Sequence, residues 1–244
     1  MFKKTLLSAA VGVSIAAIFA TQSFAGSLLA QPANKTDLLL SAEFEPRAVT
    51  KIEVGDFHFK PGQRAPVHTH EAPAFGYVTE GSILYKVEGR EPVLMHAGDV
   101  YYEPAGPIIS MFDNASTTKG AVFIDINLQQ EDETFILFEN PPTEAIDRRT
   151  LPETNYANSV TIDGGDVYSH TLQPDAKQYV DVDHPISVYI AEGDVDVRMN
   201  GKRVKRLKAG DVFYEYKKDG SVVFTNTSSQ KPAKVIVFKL HKAG

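Results

Sequence analysis

The chain has 244 residues, a formal net charge of −6 and no cysteine, with 43% hydrophobic and 10% aromatic residues. That acidic balance argues against a general nucleic-acid binder, and the missing cysteines exclude a disulfide framework and thiol chemistry. A chain of this length can remove roughly 70% of its unfolded surface from water, so burial alone can hold it together.

In chain order, Lys3 and Lys4 precede an uncharged apolar run from Thr5 to Ala20. Ser23-Phe24-Ala25 then supplies small residues at the positions a signal peptidase reads. Residues 1–25 read as a cleaved secretory signal, which makes the mature chain exported, periplasmic and two charges more acidic. No later segment has the length of a transmembrane helix, so no membrane contact is expected after cleavage. Residues 26–50 read as an N-terminal arm, 51–140 as a first barrel, 141–159 as a linker and 160–244 as a second barrel.

An internal repeat underlies that division. Tyr77-Val-Thr-Glu-Gly81 returns as Tyr189-Ile-Ala-Glu-Gly193, and Ala97-Gly-Asp-Val-Tyr-Tyr-Glu103 as Ala209-Gly-Asp-Val-Phe-Tyr-Glu215, both at a spacing of 112. At the same spacing Ala121-Val-Phe-Ile-Asp-Ile126 meets Ala233-Lys-Val-Ile-Val-Phe238, and Asn114-Ala-Ser116 meets Asn226-Thr-Ser228. The last pair reads as a turn with a side-chain cap. Alternating runs such as Ser82–Val87 and Asp194–Met199 end in the turn pairs Glu88-Gly89 and Asn200-Gly201, which predicts hairpins and an all-β protein. Between the copies, acids, Pro141-Pro142 and Pro152 mark the connection, with a short helix expected over Thr143–Arg149.

Chemistry concentrates in Gly62-Gln-Arg-Ala-Pro-Val-His68-Thr-His70. On a strand, residues i and i+2 share a face, so His68 and His70 can converge on one metal ion or ligand. Taken with Gly81, Gly98-Asp99-x4-Pro104-x-Gly106 and Asn114, this segment resembles the two motifs of the cupin superfamily. The duplicated unit makes the whole similar to a bicupin. The resemblance implies two tandem jelly-roll β-barrels, each with a cavity at its mouth, where the motif residues hold one divalent metal: iron, manganese, nickel, copper or zinc.

The departures from the motif shape the site. The family's glutamate position falls at Ala74 and its third histidine at Ile109, leaving two of the usual four ligands. Glu71, next to His70, and Glu103, before Pro104, are the candidate replacements. Strand alternation turns Glu71 away from His70, and the copy of Glu103, Glu215, sits in a half without paired histidines. Ala74, Gly76, Ile109 and Met111 are expected to line an apolar pocket beside the imidazoles. In the second copy Val180 and Val182 stand near the histidine positions, so that half reads as a structural partner.

Three functions fit these residues. The chain is read as an exported bicupin that binds a small molecule in its N-terminal barrel, with metal-assisted chemistry at His68 and His70. The alternatives are a metal-dependent dioxygenase, isomerase or decarboxylase, and a structural protein that keeps the fold without the site. A monomer or homodimer is expected.

Overall fold

The computed structural model describes residues 33–216 and 220–243, so the expected signal at 1–25 lies outside the described residues. The first half contributes β1 (Lys35–Phe59), β2 (His68–Thr69), β3 (Ala74–Glu80), β4 (Ser82–Val87), β5 (Val93–His96), β6 (Val100–Glu103), β7 (Ile109–Asn114), β8 (Ala121–Gln129) and β9 (Leu137–Phe138). After β10 (Asp147–Thr150) come β11 (Thr154–Leu172), β12 (Lys177–Val182), β13 (Ile186–Glu192), β14 (Asp194–Met199), β15 (Lys202–Lys208), β16 (Val212–Glu215), β17 (Gly220–Asn226) and β18 (Ala233–Lys242). Every regular element among the described residues is a strand, as the alternation predicts.

One large sheet runs β16-β13-β18-β11-β1-β8-β3-β6, with β10 added on β1. A five-stranded sheet, β5-β4-β7-β2-β9, faces its first half, and a four-stranded sheet, β12-β17-β14-β15, faces its second. Side-chain alternation then creates three cores. Phe57, Phe59, Ile83, Phe112 and Phe123 fill the first sandwich. Leu172, Val195, Val197, Val222 and Phe224 fill the second. The opposite face of the large sheet buries Ile52, Val54, Phe75, Ile124 and Ile126 from one half against Ile162, Val167, Ile236, Phe238 and Leu240 from the other. Tyr77 and Tyr189, which occupy matching places in the sequence repeat, meet there with ring centroids 6.2 Å apart.

The turns carry out what their residues specify. Asn200 and Gly201 both adopt positive φ, 47° and 77°, the requirement of a two-residue hairpin turn that follows strand twist. Asn114 caps its turn by donating to the carbonyls of Lys60 and Lys119 and accepting from the Ser116 amide. Asn226 does the same with Leu172, Gln173, Lys231 and Ser228. Both side chains are buried, so truncation leaves several backbone groups without partners. Asn226→Ala is expected to lower the unfolding free energy by about 2–3 kcal/mol, measured by urea denaturation.

Two features differ from the sequence reading. No helix forms over Thr143–Arg149; Asp147–Thr150 instead makes β10, pairing with Gly55–His58 of β1. That short segment gains a ladder partner at an available edge, which local composition does not reveal. The arm and linker boundaries at 50 and 159 fall inside β1 and β11. These two strands pair with one another from Lys35↔Thr171 to Ile52↔Thr154, interrupted by three register shifts.

Candidate metal centre in the first barrel

The short strand β2 is wedged between β7 and β9, with His68 opposite both Ile109 and Phe138. Beyond it, His70 enters the same interior; the two rings lie 5.4 Å apart, nearly perpendicular. On the other wall β6 ends at Glu103, which stands opposite Ala74 of β3. The carboxylate therefore comes from the cross-strand neighbour of the position where the family motif places it. One ligand atom from each of His68, His70 and Glu103 falls within 4.8 Å of the others, and all three residues are buried.

Hydrogen bonds fix the direction of both imidazoles. His68 Nδ1 lies 2.8 Å from the Pro66 carbonyl and His70 Nδ1 2.8 Å from the Phe135 carbonyl. A carbonyl only accepts, so each Nδ1 carries a proton and each Nε2 is left for the interior. His70 Nε2 sits 3.0 Å from Glu103 Oε2. Yet His70 Nε2 and both Glu103 oxygens have no well-formed hydrogen bond among the described residues. With a neutral ring this is a lone pair against a carboxylate, a repulsive contact unless a proton or a cation lies between them. Burial would lower the His70 pKa, but the Glu103 carboxylate, with Asp125 behind it, lifts it to about 9. His68 goes the other way: burial pushes it below its ordinary value, against the pull of Glu103.

This donor set fits a divalent metal. Two imidazoles oriented by carbonyls at Nδ1, plus a buried carboxylate with free oxygens, are what metal ligation requires of its ligands and their supports.

The adjoining cavity is bordered by Phe57, Phe59, Phe112, Phe123 and Phe138, with Ala65, Ile136 and Ile146, and by the polar groups of His68, Glu103 and Asp125. Its free volume is about 20 Å³, room for a single water. Ile136, Phe138 and Ile146, together with Phe57, also border an outer hollow that adds Thr134, Pro142 and Arg148. A larger molecule must displace those side chains to reach the imidazoles.

Several expected site residues lie elsewhere. Glu71 is not part of the cluster: its carboxylate accepts the Thr134 amide at 2.6 Å. Ala74, Gly76, Ile109 and Met111 do not border the cavity. Ala74 is covered in its pairing between Glu103 and Asn127. The space above Gly76 is taken by Tyr101, whose ring would come within 1.9 Å of an added Cβ. Ile109 is core packing opposite His68, and Met111 pairs with Lys86 on β4. The aromatic wall and Asp125 were not anticipated. An acid inside the apolar run Val122-Phe-Ile-Asp-Ile126 is the signal that marks Asp125.

A family model for the cupin domain matches residues 55–127. Residues 55–127 are a cupin domain. No curated protein matches the sequence. Among solved structures, this chain is similar to the salicylate 1,2-dioxygenase of Pseudaminobacter salicylatoxidans, with TM-score 0.53 and 17% identity over 79% of this chain and 71% of that one. AerE from Microcystis aeruginosa gives 0.55 and 13%, covering 84% and 99% of the two chains. YhaK from Escherichia coli gives 0.54 and 10%, covering 85% and 93%. At these identities the likeness establishes the cupin fold and leaves chemistry to the site itself.

Proposed function

We propose that the protein is an exported, periplasmic bicupin whose first barrel holds one divalent metal on His68, His70 and Glu103 and binds a small, largely apolar molecule beside it. The observation that carries this reading is the buried cluster of His68, His70 and Glu103, in which His70 Nε2 and both Glu103 oxygens lack hydrogen-bond partners among the described residues. Leaving such groups unpaired is costly, and a purely structural barrel has no reason to retain them. The second half supports the contrast. Val180 and Val182 of β12 stand near the histidine positions of the repeat, and the strand pairings of that half frame an apolar interior.

A bound ion would supply Lewis acidity and an open coordination position. The protein's own contributions follow from the geometry. The carbonyls of Pro66 and Phe135 hold the imidazoles in the ligating tautomer, Glu103 offsets the positive charge, and the phenyl rings keep water from the centre. Two histidines with one carboxylate are the set that non-haem iron sites use, which favours the dioxygenase alternative over isomerase or decarboxylase. The structural likeness to a salicylate 1,2-dioxygenase is in keeping with that preference.

The test is metal content. Protein purified without an affinity tag is expected to carry about one equivalent of a transition metal or zinc, and the His68→Ala/His70→Ala variant none. A metal-free protein that fails to take up iron, manganese, nickel, copper or zinc at micromolar concentration would sink the metal reading.

A further inference from the structure

Asp125 is 3% exposed, borders the cavity, and is not one of the three clustered ligands. It accepts the Tyr101 hydroxyl at 2.5 Å. Tyr101, itself 4% exposed, reaches it by lying across Gly76, the one residue that leaves room for the ring. The three are consecutive across the sheet: Gly76 pairs with Tyr101 on one side and Asp125 on the other. In the second barrel Val188 pairs with Phe213 and Val237 in the same register. The fold thus accepts valine, phenylalanine and valine at the same three places. A buried carboxyl and hydroxyl cost desolvation that the apolar trio avoids, so the fold does not require them.

We propose that Asp125, held by Tyr101, forms a recognition subsite on the wall of the cavity, which accepts a hydrogen bond from a small neutral molecule bearing one hydroxyl on an apolar skeleton. The free volume is about 20 Å³, so the skeleton lies along the phenyl wall only after Ile136, Phe138 and Ile146 give way. Tyr101 holds the carboxyl in place, and Asp125 takes the ligand's donor. A carboxylate Asp125 only accepts hydrogen bonds, so a ligand carboxylate has nothing to donate to it, whereas a hydroxyl does. The subsite rests on the proposed choice of barrel but not on the metal.

The test uses phenol, its donor-free analogue anisole, and benzoate as probes, with dissociation constants measured by NMR on zinc-treated protein whose zinc content is determined in parallel. Phenol is expected to bind about tenfold more tightly than anisole, and benzoate more weakly than phenol. Asp125→Val, the residue of the second barrel, is expected to bring the phenol-to-anisole ratio to within about twofold while anisole binding and zinc content hold. Asp125→Asn and Tyr101→Phe, which keep the size of the side chains, are expected to reduce the ratio and guard against misfolding. An unchanged ratio in Asp125→Val, loss of zinc in that variant, or no probe binding to the parent protein at millimolar concentration overturns the subsite. Phenol preference without zinc leaves the subsite standing and removes the metal centre; zinc without phenol preference does the reverse.

Discussion

Raising the pH of the metal-free protein from 6.5 to 9 is expected to lower its unfolding free energy by roughly 3 kcal/mol. The effect arises at His70. Its ordinary value is 6.5 and its folded value about 9, so the folded state holds a proton that the unfolded chain releases near neutrality. Stability from that proton is fully present below pH 6.5 and is lost as pH rises through the folded value. Asp125, lifted by burial to about 7, acts in the same direction at lower pH, because a raised acid favours the folded state only while it is protonated. Metal binding replaces the His70 proton, so the loaded protein should be flat across this window. Metal affinity should climb by about tenfold per pH unit until His70 is neutral. Urea denaturation at pH 6.5, 7.5 and 9, with and without chelator, measures both behaviours. A metal-free protein with a constant midpoint would mean that no proton lies between His70 and Glu103.

Gly76→Ala is expected to cost about 3–5 kcal/mol, the sum of overpacking and a lost charge-assisted hydrogen bond. An added Cβ would come within 1.9 Å of the Tyr101 ring, and that ring is boxed in by Tyr85 and Phe112, with centroids 6.1 and 5.5 Å away. Moving the ring withdraws its hydroxyl from Asp125 and leaves a buried carboxyl unpaired. Equilibrium denaturation gives the number. A loss below about 1 kcal/mol would mean that Tyr101 swings aside freely and holds nothing in place.

Much of the architecture was legible because it is written locally. Asn200-Gly201 carries its own turn geometry, and the period-two runs declare both strands and buried faces. Asn114 and Asn226 announced capped turns and form them. What escaped was decided across strands. The segment 147–150 becomes β10 because β1 offers a partner, and nothing in its composition requires this. Glu103 looked like shared scaffolding because Glu215 repeats it. Its value comes from standing opposite Ala74, a pairing between strands separated by two others in the chain. Gly76 was expected to line the ligand pocket, but the space it leaves is taken by Tyr101. The histidine pair was readable because two side chains on alternate residues of an extended chain share a face, which is itself a local pattern.

The long partnership of β1 with β11 makes the two halves inseparable. Dividing the chain between the barrels would strip a partner from each of these strands along their paired length and uncover the apolar face that carries Phe75 and Ile126 on one side and Ile236 and Phe238 on the other. Each fragment would then present a raw, adhesive edge of the kind that natural sheets avoid. The barrel that lacks paired histidines therefore gives the other a covalently attached cover for that edge and that apolar face.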